Sequence, residues 1–194
     1  MIWDMRGPSA PAWRPQCVAI LGSGAFGRVV AARLQTGMVP YIHVWDAALA
    51  DPSKEEDWAG CGWEAHLIGA EVYGGFPVIP VPVVQSSNVR QALEDADLVI
   101  HTHEGDPEAL IAAAVAQSLK PGAYFLDFTA RDDHSELEAA VARSSGKYVQ
   151  AETSAPTAHW QTWQPVTLRG AEAQSLLPRL KALGFAGARV GLGS

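Results

Sequence analysis

Apolar residues along the chain follow two patterns, short unbroken runs and positions repeated at helical spacing. Cys17–Leu21 is an unbroken apolar run of strand length, and Phe26, Val30 and Leu34 then recur at the spacing of one helix face. A second apolar run, Tyr41–Trp45, follows this segment. The pattern predicts a strand, a helix and a second strand in this order.

The rest of the chain repeats this alternation. Strands are predicted over residues 81–84, 97–102, 123–128, 148–151, 165–169 and 186–190. Helices are predicted over residues 88–94, 107–119, 132–145 and 171–183. The expected buried side of the helix over 107–119 consists of Leu110, Ile111, Ala114, Val115 and Leu119. Between residues 47 and 80 we expect a broken helix and then a loop of sequence EVYGGFPVIP. Alternating strands and helices predict an α/β fold, a doubly wound, mostly parallel sheet in a single domain.

Three glycines separate the first strand from the first helix. Gly22 permits a tight turn, Gly24 lets backbone approach a pyrophosphate, and Gly27 lets the helix pack closely on the strand. A strand, a glycine turn and a helix together form the pyrophosphate site of a dinucleotide-binding domain, although other α/β domains also contain glycine-rich turns. The predicted pyrophosphate-binding residues are Gly22, Ser23, Gly24, Ala25, Phe26 and Gly27.

Asp46 ends the second strand and lies 24 residues beyond Gly22. A carboxylate about 20 residues after the glycines binds the ribose hydroxyls of NAD in such domains. An NADP site needs positive charge for the 2′-phosphate, and no Lys or Arg follows Asp46 until Lys54. The sequence therefore predicts NAD as the cofactor, with NADP less favoured.

Polar residues end two further predicted strands. His101 and Thr102 end the strand over 97–102, and Thr129 follows the strand over 123–128. Because ligands bind at the carboxyl ends of parallel strands, we expect these three residues to lie near the cofactor. His101 and His103 share strand parity, but no third ligand follows with zinc-like spacing, so no metal site is predicted.

Composition narrows the possible partners and location. The 194 residues include 14 Lys and Arg against 21 Asp and Glu, a net charge of −7, which argues against a nucleic-acid partner. No apolar run approaches the roughly 20 residues of a membrane span, and the polar, proline-containing start does not resemble a signal peptide. Two cysteines form no disulfide framework, which predicts a cytoplasmic protein. We expect an irregular arm over residues 1–16 and a dinucleotide-binding domain over 17–194.

The order of the segments resembles the N-terminal cofactor-binding domain of the β-hydroxyacid dehydrogenases, which include 6-phosphogluconate and 3-hydroxyisobutyrate dehydrogenases. The similar segments are VAILGSGAFGRVVAARL, VWD, DADLVI, KPGAYFLDFTA, KYVQAETSAPTA and VTLRGAEAQSLLPRLKALG. The resemblance covers about residues 17–191. It implies a Rossmann fold and an oxidoreductase that transfers a hydride between a nicotinamide cofactor and a small hydroxy-acid-like or carbonyl substrate.

The chain also departs from that family pattern. It stops where the family's helical C-terminal domain, with its catalytic lysine, would begin. Ser154 matches the serine of the family's substrate loop and is the implied catalytic residue, but Ala155 and Pro156 replace the two glycines that follow it. Proline has no N–H to donate to a substrate carboxylate. His103 is the candidate proton donor, with His101 and His159 as alternatives.

Two alternatives to this enzyme remain. The chain could be a dinucleotide-binding or sensing domain without catalysis, or one subunit of a larger assembly. It also resembles the single-domain deazaflavin-dependent NADP reductases, although Asp46 disfavours NADP. A homo-oligomer is expected, because six tryptophans fall in the predicted arm or long loops and Trp is enriched at interfaces, unless these loops cover their own domain. These tryptophans are Trp3, Trp13, Trp58, Trp63, Trp160 and Trp163.

Overall fold

A computed structural model describes residues 14–36, 39–47, 72–73, 76–77, 83–102, 108–130, 133–153 and 165–191. Its strands are β1 (Cys17–Leu21), β2 (Tyr41–Trp45), β3 (Val72–Tyr73), β4 (Phe76–Pro77), β5 (Val83–Gln85), β6 (Leu98–His101), β7 (Tyr124–Asp127), β8 (Lys147–Thr153), β9 (Val166–Arg169) and β10 (Ala188–Val190). Its helices are α1 (Ala25–Thr36), α2 (Val89–Leu93), α3 (Glu108–Ser118), α4 (Ser135–Arg143) and α5 (Ala173–Ala182).

In the described part of the chain, eight strands form one sheet in the order β10-β9-β8-β7-β6-β1-β2-β5. All neighbouring strands run parallel except β8 and β9, so β9 and β10 run opposite to the rest. From β1 the chain builds outward through β2 to β5, then crosses back to place β6 on the other side of β1. The predicted doubly wound, mostly parallel sheet is confirmed, and the order in which successive strands are added reverses between β1 and β6.

β1 is apolar along its whole length, as is typical of a parallel strand with helices on both faces of its sheet. Val18 and Ile20 face a core shared with α1 and α5, whereas Ala19 and Leu21 face a second core shared with α2, α3 and α4. All residues of β1 are buried. The central strand is thus fixed from both sides, and its carboxyl end has a defined position relative to its neighbours.

Two local predictions differ from the structure. The segment EVYGGFPVIP was expected to be a loop, but it contains the antiparallel pair β3 and β4. Two short apolar runs separated by Gly-Gly are a hairpin signal, which the loop prediction overlooked. Leu110 was expected on the buried side of its helix, but 53% of it is exposed. It precedes the buried Ile111 and lies at the edge of the buried stripe of α3.

Several predicted features lie outside the described residues. These are most of the arm over 1–16, the broken helix expected after residue 47, residues 154–164, and the catalytic candidates His103, Ser154 and His159. Among the described helices, none is long and apolar enough to cross a membrane.

Candidate functional site

The turn from β1 to α1 lies at the carboxyl end of the central strand. Gly22 has a φ of 121°, a conformation that favours glycine over residues with a side chain. Its N–H donates to the carbonyl of Trp45 at 2.8 Å, and the N–H of Thr102 donates to the carbonyl of Leu21 at 2.8 Å. The ends of β1, β2 and β6 are therefore held together at one place, on the edge where open α/β sheets bind ligands.

Gly27 is the glycine that the close contact between helix and strand requires. A Cβ atom at this position would collide with the carbonyl oxygen of Gly22 and would lie 3.0 Å from Oγ1 of Thr102. That hydroxyl donates to the Gly22 carbonyl at 3.2 Å. The contact confirms the packing role inferred from the spacing, and it shows that Thr102 stabilises the turn.

Gly24 has the opposite environment. It is exposed, and a Cβ atom built at this position would have no neighbour within 4 Å. The fold itself therefore does not require glycine here. The first turn of α1, residues 25–28, contains no acidic side chain. The N–H of Arg28 donates to the Gly24 carbonyl at 3.1 Å, whereas the N–H groups before it have no acceptor within the helix. An open backbone beside these N–H groups fits an anionic group such as a pyrophosphate.

Asp46 lies next to this turn, at the end of β2. Its Oδ2 atom accepts hydrogen bonds from the backbone N–H of Ser23 at 2.6 Å and from the Ser23 hydroxyl at 2.9 Å. The residue is 8% exposed. The structure thus brings together the predicted ribose-binding carboxylate and the predicted pyrophosphate loop, with the carboxylate oriented by Ser23.

A groove of about 370 Å³ opens beside the end of β2, between α2 and α3. Leu110 contributes to its wall, whereas the neighbouring Ile111 is buried in the core. The sequence pattern does not predict this groove, because the packing of α2 against α3 forms it and hydrophobic periodicity does not determine that packing. The lining residues are Trp45, Ser87, Asn88, Val89, Arg90, Leu110, Ala113, Ala114 and Gln117.

On the other side of the turn, a buried carboxylate ends β7. Oδ1 of Asp127 accepts hydrogen bonds from the Thr129 hydroxyl at 2.7 Å and the Thr129 N–H at 3.0 Å, and it lies 3.1 Å from Nδ1 of His101. Oδ2 accepts from the Tyr148 hydroxyl at 2.9 Å and lies 3.0 Å from Nδ1 of His134. The Asp127 side chain has no exposed surface. Two histidines, a threonine and a tyrosine therefore compensate its burial.

The hydrogen-bond partners fix the protons in this cluster. Nε2 of the Gln150 amide lies 3.0 Å from Nε2 of His134, and an amide nitrogen can only donate. Nε2 of His134 therefore accepts, and its Nδ1 donates to Asp127. Among the described residues, Nε2 of His101 is buried without a hydrogen-bond partner.

Burial opposes the ionisation of Asp127, but the hydrogen bond and electrostatic attraction of His101 and the two bonds from Thr129 outweigh it. They hold the pKa of Asp127 well below its usual range, so the carboxylate is ionised at neutral pH. Burial, together with the negative charge of Asp127, raises the pKa of Tyr148 far above its usual range. The Tyr148 phenol therefore keeps its proton and remains a donor to Asp127.

The three strand-end residues expected near the cofactor, His101, Thr102 and Thr129, have different surroundings. Thr129 is partly exposed and is tied to Asp127, whereas Thr102 is bonded to the glycine turn. The His101 side chain has no exposed surface and is directed to Asp127, so cofactor binding by His101 stays a prediction for its backbone alone. Phe26 is buried, and its ring packs against that of Phe128 with 4.8 Å between the ring centroids.

Sequence reasoning missed His134, Tyr148 and Gln150 as members of the Asp127 cluster. A signal existed for two of them, because Tyr148 and Gln150 alternate along β8, and Gln150 lies opposite Asp127 in register. The docking of His134 at the start of α4 has no such periodic signal. Within the described ranges, no group of three or more His, Cys, Asp or Glu side chains is arranged to hold a metal ion.

Comparisons with solved structures place the fold. A conserved hypothetical protein from Sinorhizobium meliloti 1021 has a TM-score of 0.71 and 21% identity, and the match covers 92% of this chain and 54% of that one. A variant of the imine reductase from Myxococcus stipitatus in complex with NAD+ has a TM-score of 0.65, 17% identity, and coverage of 93% and 55%. The imine reductase from Myxococcus stipitatus in complex with NADP+ has a TM-score of 0.62, 17% identity, and coverage of 91% and 55%.

The chain spans about half the length of these structures and shares their Rossmann fold type over that part. A scan against protein-family models and a search of curated proteins find no match. The similarity to oxidoreductase structures therefore shows the architecture that the sequence resemblance implied.

The Asp127 cluster predicts an acid-sensitive contribution to stability. The folded-state pKa of Asp127 is lowered, so its contribution is complete above the unfolded pKa of about 4 and is lost as pH falls further. At neutral pH, Asp127→Asn should reduce the free energy of unfolding by about 2 kcal/mol or more, since bonds to a charged group are lost. Urea unfolding from pH 7 to pH 2 should show a smaller acid dependence in the variant. If the free energy of unfolding of Asp127→Asn fell with decreasing pH as steeply as that of wild type, this assignment would be contradicted.

Proposed function

We propose that the chain binds NAD(H) at the glycine turn and acts as an NAD-dependent oxidoreductase. The observation on which this depends is the pairing of an open Gly24 with a Ser23-oriented Asp46 at the point where the strand order reverses, beside β1. A pyrophosphate fits the exposed turn, and the ribose hydroxyls fit the carboxylate. Similar structures in complex with NAD+ and NADP+ support a nicotinamide dinucleotide as the ligand.

The groove beside Asp46 supports this assignment. Trp45 immediately precedes Asp46, and the groove is bounded by apolar side chains such as Leu110 and Val89. An adenine ring is flat and largely apolar on its faces, so it suits this groove once the ribose binds at Asp46. The adenosine half of the cofactor would then lie on the β2 and β5 side of the turn.

Asp46 gives the proposed site its preference for NAD over NADP. A 2′-phosphate would approach a carboxylate that Ser23 already fixes in place, and like charges repel. The sequence prediction of NAD is retained as part of this proposal.

The proposed reaction is hydride transfer between the nicotinamide cofactor and a small molecule with a C=O or C=N group. A bound nicotinamide would supply the hydride chemistry, while the chain binds and orients it. The carbonyl class follows from the sequence resemblance, and the C=N class is suggested by the similar imine reductase structures. Ser154 and His103 remain the proposed catalytic residues, and both lie outside the described part of the chain.

A cytoplasmic location and a homo-oligomer complete the proposal. The buried, free thiol of Cys17 suits a reducing compartment. Tyr41 and Val84, on β2 and the neighbouring β5, are 61% and 41% exposed. Exposed apolar side chains on an edge strand and its neighbour favour association between copies of the chain.

Gly24→Val tests the pyrophosphate site. Because Gly24 has open space around it, a valine should leave the free energy of unfolding within about 1 kcal/mol of wild type. It should nevertheless weaken NADH binding by about tenfold or more, since a side chain would separate the pyrophosphate from the backbone. Calorimetry with NADH measures this.

Gly27→Ala is the contrasting variant, because its Cβ collides with Gly22 and should destabilise the fold by about 2 kcal/mol. Unchanged NADH affinity in Gly24→Val would refute the site.

Asp46→Ala tests cofactor preference. Loss of the carboxylate should narrow the difference in binding free energy between NADH and NADPH by about 2 kcal/mol, the worth of hydrogen bonds to a charged group. Titration of both cofactors against wild type, Asp46→Ala and the exposed control Asp95→Ala gives the comparison. Wild-type protein that binds NADPH as well as NADH would overturn the proposed preference.

Light scattering at micromolar concentration tests the oligomer. We expect a mass near twice the 20.7 kDa of one chain. Charged replacements at the exposed apolar positions, Tyr41→Glu with Val84→Lys, should shift the mass toward that of one chain. A wild-type mass near 20.7 kDa would mean that the chain is a monomer.

A further inference from the structure

Thr129 has a hydroxyl group whose single hydrogen is already used. Oγ1 donates to Oδ1 of Asp127 at 2.7 Å, and the Thr129 N–H donates to the same oxygen at 3.0 Å. A hydroxyl has one hydrogen and two lone pairs. Because Thr129 is partly exposed, a lone pair of its Oγ1 can meet a ligand, and toward that ligand the hydroxyl can only accept.

The Asp127 cluster prevents the hydroxyl from reversing its direction. The carboxylate has donors on both oxygens, from His101 and Thr129 on Oδ1 and from His134 and Tyr148 on Oδ2. An ionised carboxylate has no hydrogen to donate to Thr129. The bonds on Oδ2 also restrain rotation of the carboxyl group. The Thr129 hydroxyl therefore keeps its hydrogen directed toward Oδ1 of Asp127.

Thr129 lies on the side of the glycine turn opposite to Asp46. It follows β7, and the N–H of the preceding Phe128 donates to the His101 carbonyl at 2.9 Å. The ring of Phe128 contacts Phe26 in the first turn of α1. In the strand order, β7 and β2 lie on opposite sides of β1. A dinucleotide whose adenosine ribose is at Asp46 therefore extends its nicotinamide half toward Thr129.

We propose that Oγ1 of Thr129 accepts a hydrogen bond from the carboxamide NH2 of the nicotinamide, and that Asp127 is the positioning residue that fixes this direction. This inference rests on the proposed function. A carboxamide has two N–H donors, whereas the carboxylate of a nicotinic acid ring has none and is negatively charged. The site should therefore distinguish NAD+ from nicotinic acid adenine dinucleotide, which differs from NAD+ only in that group.

Calorimetry with three ligands separates the halves of the site. ADP-ribose lacks the nicotinamide ring, so its affinity reports the adenosine and pyrophosphate contacts alone. We expect wild type to bind NAD+ about tenfold or more tightly than nicotinic acid adenine dinucleotide. Thr129→Val should weaken NAD+ binding about fivefold, the effect of one neutral hydrogen bond, while ADP-ribose affinity stays within about twofold. Thr129→Ser retains the hydroxyl and should restore NAD+ affinity.

Two further variants separate the hydroxyl's direction from its general structural effect. Asp127→Asn can donate its own N–H to Thr129, so it should reduce the preference for NAD+ over the nicotinic acid analogue while ADP-ribose still binds. Thr167→Val on β9 makes the same chemical change at a hydroxyl that lies 3.4 Å from Nε of Arg189 and should alter none of the three affinities.

The outcomes distinguish this inference from the proposed function. Wild-type NAD+ affinity in Thr129→Val, or equal wild-type affinity for the amide and acid dinucleotides, would overturn the acceptor role and leave the proposed function standing. An equal loss of ADP-ribose and NAD+ affinity in Thr129→Val would show a structural role only and would also overturn it. Wild-type protein that binds neither NAD+ nor ADP-ribose would overturn both.

Discussion

The contact between the glycine turn and the first helix is the constraint on which the candidate site depends. Gly27 approaches the carbonyl of Gly22 so closely that a side chain has no room, and this distance sets where the N-terminal end of α1 meets β1. Thr102 bonds to the same carbonyl and links the turn to β6. The strand order reverses between β1 and β6, and the contacts of Gly27 and Thr102 with the Gly22 carbonyl fix the glycine turn at this point.

Two buried or half-buried carboxylates connect the ends of the strands, one at each edge of the sheet. At the amino edge, Asp97 accepts from the N–H groups of Gln16 and Cys17 and pairs with Lys120 at 2.6 Å. At the carboxyl edge, Asp127 accepts from side chains of β6, β8 and the start of α4. Asp97 has a surface cation as its partner, whereas Asp127 depends on a cluster enclosed by the fold. An enclosed hydrogen-bond cluster of this kind fixes the orientation of the Asp127 carboxylate in addition to contributing to stability.

The sequence predicted the parts of the site that depend on local order. An apolar strand, glycines at fixed spacing and Asp46 a set distance later lie within thirty residues, and in the structure Asp46 lies beside the glycine turn, where it accepts from Ser23. It did not predict the Asp127 cluster, because His134 and Tyr148 reach Asp127 through strand register and helix docking. The exposure of Leu110 was missed for a related reason. Neighbouring positions on a helix differ by about 100°, and only the packed partner decides which of them is buried.

The two halves of the candidate site therefore differ in kind. The glycine turn and Asp46 belong to one βαβ unit, so local sequence order determines their contact, whereas the groove beside Asp46 also needs α2 and α3. The half beside Thr129 needs β6, β7, β8 and α4 together, since each contributes a group that orients Asp127. A change in the packing of α4 would move His134 and loosen Asp127 without touching the glycine turn. In the proposed function, binding of the adenosine end and orientation of the nicotinamide end would therefore depend on different residues and could vary independently, since function on a shared fold resides in the site.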